Sequence, residues 1–162
     1  MFVTRIIILL FIYPGMMRKS LSKNLTVKKA EANTGFPRKQ SGSTTRFCFG
    51  DSDSQLGDYA WYYKNALDAG DKYAHRVGAK KPNAWGLYDM HGNIWEWCRD
   101  RYEKYSSASA TDPKGPSSGF NRVRRGGSWR SYARSCRSAN RNGNSPGYRR
   151  NSLGFRLSRT VF

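Results

Sequence analysis

Histidine and cysteine are scarce: the 162 residues hold two of the first and three of the second. His75 and His91 are too far apart for any zinc-ligand spacing, and three thiols leave one odd. Long apolar runs are missing as well. Ile6 to Ile12 is far short of the roughly twenty residues a membrane span needs. No small-residue cleavage site follows it, only Tyr13-Pro-Gly-Met-Met-Arg-Lys, so it is read neither as a signal peptide nor as an anchor. Nothing resembles a long helix, a repeat of fixed period or a Ser-His-Asp order. Gly126-Gly127 lacks the following helix signals that phosphate binding requires.

Acidic residues are few too, 11 against 29 Lys and Arg, for a net charge of +18. Such a balance ordinarily points to nucleic acid or an acidic surface. Its distribution says otherwise. Residues 1–42 carry +7, residues 43–121 balance at zero, and residues 122–162 hold eleven Arg with no Lys and no acid. An all-Arg set among Trp, Tyr and Asn suits guanidinium stacking and bidentate bonds to carbonyls in a loop-rich chain. Nucleic acid is not expected as a partner.

Aromatic residues make up 14% of the chain, enough to fill a core without long regular elements if their polar tips find partners. They are densest between Asn83 and Cys98. Trp95 and Trp97 alternate with Ile94 and Glu96, the period-2 pattern of a strand. Asp89-Met-His-Gly-Asn reads as a turn before it, with Gly92 free to take positive φ and His91 as a surface turn residue. Asp89, Glu96 and the turn carbonyls supply hard oxygen donors of the kind calcium takes. Elsewhere, Phe47 to Phe49 reads as an aromatic strand entering a polar turn, and Gln55 to Tyr63 as a strand or single helical turn. Asn65 to Asp71 is a loop with a helix-like centre, Ala74 to Gly78 a short strand, and Ser106 to Gly119 a surface loop.

The stretch Asn83–Cys98 resembles a signature of the formylglycine-generating enzyme, or sulfatase-modifying factor, family. The blocks Arg125-Gly-Gly-Ser-Trp129, Cys136-Arg-Ser-Ala-Asn-Arg141 and Leu153-Gly-Phe-Arg156 follow in the family's order. The resemblance covers roughly Gly42 to Phe162. It implies an α+β, irregular and loop-rich fold, the family's variant of the C-type lectin fold. It also implies a structural calcium ion on the side chains of Asp89 and Glu96 and the carbonyls of Gly92 and Ile94.

Residues 1–42 do not share the resemblance. Read one base out of frame, their codons permit Ser-Trp-Asp-Asp-Ala around Tyr13 to Arg18 and Tyr-Arg-Leu-Pro-Lys-Glu-Ala-Glu-Trp over Asn33 to Gly42. These strings are similar to earlier family blocks, in the right order. Two domain segments are therefore expected: 1–42, an out-of-frame and poorly structured segment, and 43–162, the C-terminal part of a sulfatase-modifying factor domain, incomplete on its N-terminal side.

Family members that make formylglycine are oxidases that use two cysteines, five residues apart, to bind copper(I) and the substrate thiol. Two soft thiolates at that spacing make a low-coordinate copper(I) site. Here the second position matches Cys136 and the first matches Ser131, whose hydroxyl is a hard, neutral ligand. Copper is not expected, and the family's oxidase activity is not expected either. Cys136 is then a buried thiol, a partner for Cys98 in a disulfide, or a residue that carries chemistry, with Cys48 left single.

Between these fixed blocks the chain is rich in Arg, Tyr, Ser, Asn and Gly, the residues of adaptable binding loops. Arg130, Tyr132, Arg134, Asn142, Asn144, Tyr148 and Arg149 are the candidate binding surface for a protein or small-molecule ligand. The frame is similar to the variable region of diversified ligand-binding proteins that share this fold. Three readings follow: a family domain without oxidase activity, a ligand-binding module, and a non-functional frameshifted fragment.

Overall fold

The computed structural model describes residues 44–104 and 115–156. The segment 1–42, with its apolar run, and most of the loop expected at 106–119 lie outside the described residues. What is described is α+β with little regular structure. A single helical turn, α1 (Leu56–Tyr59), is followed by a 3₁₀ turn at Tyr63–Asn65 and then by loop as far as Asn93. Strands β1 (Trp95–Arg101), β2 (Arg122–Arg125), β3 (Arg141–Asn144) and β4 (Leu153–Gly154) form one sheet in the order β3-β2-β1-β4. A second 3₁₀ turn, Ala133–Cys136, lies between β2 and β3.

The Trp-Glu-Trp alternation becomes β1, the sheet's central ladder. It pairs antiparallel with β2, Glu96 opposite Arg125 and Trp97 opposite Arg124, with an irregularity before Arg101 meets Arg122. On its other edge it pairs parallel with β4, Trp95 beside Leu153 and Glu96 beside Gly154. Residues 141–144, read from the sequence as loop, instead extend the sheet as β3, because Asn142 and Asn144 take register positions against Arg124 and Arg122. Gly143 is required there: a Cβ would sit 2.4 Å from the ring of Tyr102. Among the described residues no helix is long and apolar enough to cross a membrane.

Among the described residues the buried apolar side chains include two small clusters. Phe47, Leu56, Ala60 and Cys136 form the first, and Ala66, Ile94 and Trp129 the second, with Trp61, Leu67 and Ala74 packed against it. Phe47 to Gly50 closes as a tight turn with paired backbone bonds rather than a strand. The segment Ala74–Gly78 is not a strand either. Its backbone is taken by a side chain: Asn93 accepts from His75 N–H at 2.9 Å and donates to His75 O at 3.2 Å. Asn93 is fully buried and also donates its own N–H to Trp61 O while its carbonyl accepts from Trp129. One asparagine thus ties together four stretches of chain that have no ladder of their own, as a loop-built interior demands.

Candidate functional site

The turn before β1 is where sequence and structure agree most closely. Asp89, Gly92 and Asn93 all take positive φ, at 55°, 79° and 60°, so the chain reverses sharply and enters the sheet at Trp95. Asp89 is buried; its Oδ2 accepts from Gly78 N–H at 2.8 Å, and its Oδ1 is buried without a hydrogen-bond partner among the described residues. Burial pushes this carboxyl above the usual range. Glu96, equally buried, is held by the guanidinium of Arg156 through both oxygens, and Arg156 also donates to the carbonyls of Tyr88 and Asp89. This pair joins residues sixty positions apart, and no local pattern announces it.

Two buried carboxylates therefore face one buried guanidinium. No three His, Cys, Asp or Glu side chains cluster among the described residues, so a cation here must draw on backbone carbonyls as well. The orphaned Oδ1 of Asp89 and the surplus carboxylate fit a hard cation of calcium type, with Glu96 shared with Arg156.

His91 lies on the same turn but not on the surface. It is 1% exposed, because the turn folds it beneath Phe47 and Phe49, whose rings meet it edge-on. Its Nδ1 lies 2.7 Å from Cys136 O, and its Nε2 accepts from Cys48 N–H at 3.1 Å. A carbonyl only accepts and an amide N–H only donates, so Nδ1 carries the hydrogen and the ring is neutral. Burial depresses its pKa accordingly. Between that depressed value and the ordinary one near 6.5, the unfolded chain binds more protons than the folded one. Stability should then be lost as pH falls through this window, by at most about 1.4 kcal/mol per pH unit. His91→Gln should remove that component, seen as a flatter plot of denaturation midpoint against pH; an unchanged slope would contradict the assignment.

Cys136 is completely buried in the first core, and burial pushes its thiol up to about 12. Gly127 packs against it so closely that a Cβ there would fall 2.7 Å from its Sγ. Ser131 belongs to the neighbouring turn: its Oγ accepts from Ser128 N–H at 3.0 Å and lies 3.1 Å from Ser128 Oγ. All three cysteines are free, so the Cys98–Cys136 bridge is not formed. The Cys98 thiol is likewise pushed up to about 12 by burial. One serine hydroxyl and one buried, protonated thiol do not make the donor pair that copper(I) takes.

The candidate binding residues separate into two groups. Tyr132 stacks on Tyr63 with ring centroids 4.5 Å apart, and Arg134 lies over Tyr132. With Asp53, Ser54, Tyr62 and Lys64 they line a cleft of about 440 Å³. Tyr63 N–H donates to Ser131 O, which anchors this cleft to the turn holding the serine. Arg130 is exposed beside it, over the Trp129 ring. The second group lies on β3 and the loop that follows it. Asn142 and Asn144 lie on β3; Tyr148 carries the guanidinia of Arg124 and Arg150 on its ring; Arg149 is tied to the carbonyls of Pro146 and Tyr148. Tyr62 and Tyr63 were not singled out from sequence, because only the fold brings them to Tyr132.

A family model described as the sulfatase-modifying factor enzyme 1-like domain matches residues 13–161. Among curated proteins, the chain is 42% identical over 84 residues to the serine/threonine-protein kinase pkn1 of Chlamydia pneumoniae, covering 49% of this chain and 14% of that one. It is 44% identical over 86 residues to the formylglycine-generating enzyme of Mus musculus, covering 51% and 23%. Among solved structures, Treponema denticola variable protein 1 superposes with a TM-score of 0.67 at 38% identity, over 74% of this chain and 42% of that one. The chain therefore spans less than half the length of each of these relatives.

Proposed function

Because this chain belongs to the sulfatase-modifying factor enzyme 1-like domain family, we propose its function from the point where it departs from formylglycine chemistry: it is a ligand-binding module that does not oxidise cysteine. The observation that carries this reading is the state of the two family cysteine positions. Ser131 is bound into a turn and has no thiol, and Cys136 is enclosed in the core, its thiol pushed up to about 12 by burial. That leaves a single enclosed sulfur where copper(I) and a substrate thiol call for two accessible thiolates. The neighbouring cleft, by contrast, is built for recognition, with three tyrosines for contact area and Arg134 and Lys64 for charge.

The test has two arms. Incubated with copper(I), oxygen and a cysteine peptide, the protein is expected to leave the thiol intact; an aldehyde product by mass spectrometry overturns the reading. In a screen of peptide and small-molecule arrays, ligands should be lost by the Tyr132→Ala/Arg134→Ala variant. Retention of every ligand by that variant would move the binding site elsewhere.

Calcium takes a structural place in this proposal, held by the side chains of Asp89 and Glu96 and the carbonyls of Gly92 and Ile94. It would offset the surplus buried carboxylate and pin the turn that enters β1. Chelation should lower the melting temperature, and readdition of calcium should restore it; a melting curve indifferent to chelator would sink this part.

A further inference from the structure

The arginines of the sheet are mostly spoken for by carbonyls and rings. Arg101 donates to Ser117 O and Arg122 to Arg99 O, while Arg124 lies over the Trp95 ring. Yet one region of the sheet collects more positive charge than it neutralises. Trp97 and Arg124 are direct cross-strand partners, and Arg122 follows two residues from Arg124 on the same face. Val123 and Arg125 turn to the buried side. Trp97, Cys98, Arg99, Arg122 and Pro146 line a hollow of about 350 Å³; Arg124, opposite Trp97, shares the Tyr148 ring with Arg150.

Among the described residues none of Arg99, Arg122, Arg124 and Arg150 is in an ion pair; the pairs there are His75–Asp71, Lys81–Asp58 and Arg156–Glu96. The nearby carboxylate of Asp100 is pushed up by burial, and the arginines that oppose this shift are Arg125 first, then Arg141 and only then Arg99. Arg122 uses one N–H on Arg99 O at 2.7 Å, which fixes the guanidinium and leaves its other donors over. Arg124 has a buried Nε without a hydrogen-bond partner among the described residues. Its proton is held less firmly than usual because the group is buried, with Arg150 adding to the repulsion.

We propose that this hollow binds a phosphate monoester carried on a planar ring, the phosphoryl oxygens on Arg99 and Arg122 and the ring against Trp97 and Pro146. A forked guanidinium matches a tetrahedral oxyanion bidentately. Two of them, backed by two more, favour a dianion over the single charge of a carboxylate or a sulfate ester. The half-buried indole and the proline ring give flat apolar walls with nothing to recognise in a bare ion. The hollow shares no lining residue with the Tyr62–Arg134 cleft, so it stands or falls separately from the proposed function.

Phenyl phosphate is the probe, titrated against the full chain by calorimetry and tryptophan fluorescence. It is expected to bind at least about tenfold more tightly than inorganic phosphate, for want of a ring, and than phenyl sulfate, for want of charge. Arg99→Gln/Arg122→Gln should weaken it about tenfold or more. Lys72→Gln/Arg76→Gln, which removes equal charge from an exposed loop outside the sheet, should leave it within about twofold. Trp97→Leu should bring phenyl phosphate down to the level of inorganic phosphate; if that variant fails to fold, Trp97→Phe should retain the ring preference. Equal losses in the two double variants would show a diffuse effect of net charge and overturn the site. So would the absence of saturable binding, or tighter binding of phenyl sulfate.

Discussion

Gly92→Ala is expected to abolish folding, or to lower the melting temperature so far that no native state persists at physiological temperature. Two effects combine at this position. Its φ of +79° is a region in which a Cβ costs about 1–2 kcal/mol. More decisively, that Cβ would lie 2.1 Å from the carbonyl oxygen of Trp61 and 2.9 Å from its carbonyl carbon. These are backbone atoms, and they cannot rotate away. The same oxygen accepts from Asn93 N–H at 2.7 Å, and Gly92 N–H donates to Gly126 O at 2.7 Å. Retreat by either segment would therefore break the contacts that join the Trp61 stretch and the Gly126 turn to the entry of β1. The combined loss approaches the whole stability of a small domain, about 5–15 kcal/mol.

A graded series makes the result readable. Gly147 has negative φ and open space around it, so Gly147→Ala should be close to neutral. Gly70 has φ +95° and nothing nearby, so Gly70→Ala should show the backbone effect alone, about 1–2 kcal/mol. If Gly92→Ala melts within a few degrees of Gly70→Ala, the close approach to Trp61 is wrong.

Gly92 also shows what was legible in the sequence. A turn of five residues ahead of an aromatic alternation is a local pattern, and this one carries through: the positive φ and the strand at Trp95 stand in the structure, while Gln55 to Tyr63, open between strand and helical turn, takes the turn. Non-local facts do not carry through. His91 reads as a turn residue and is one, but which side of a turn faces the core is decided by Phe47 and Phe49, more than forty residues earlier. Ala74 to Gly78 has the composition of a strand. It finds no strand edge to pair with and is satisfied by the side chain of Asn93 instead. Residues 141–144 have the composition of a loop and become a strand because β2 offers them a register. The arginine-rich C-terminal part was legible as chemistry rather than geometry. Guanidinium groups bonded to carbonyls and laid over rings are what an all-Arg set among Trp, Tyr and Asn suggests. Which of them would converge on Trp97 depends on the sheet order.

The buried pair of Glu96 and Arg156 is the other position where one change should be severe. Arg156→Met is expected to lower stability by about 3–5 kcal/mol, because it strands a fully buried carboxylate rather than merely removing a contact. It also frees the carbonyls of Tyr88 and Asp89, which Arg156 satisfies. Glu96→Gln should be milder, since an amide can still accept from the guanidinium through its oxygen. The double variant Glu96→Gln/Arg156→Met is the informative one. With both charges gone, its loss should be smaller than the sum of the single losses, measured by denaturant unfolding with the slope of the transition unchanged. Strict additivity would mean that the two groups do not interact, and that each is held by something else. The pair also bears on the cation. Arg156 brings one positive charge to two buried carboxylates, so removing it raises the surplus from one to two. If a hard cation occupies this turn, Arg156→Met should respond to added calcium more strongly than the parent protein does, and Glu96→Gln less. A pair that is purely structural would give no such ordering.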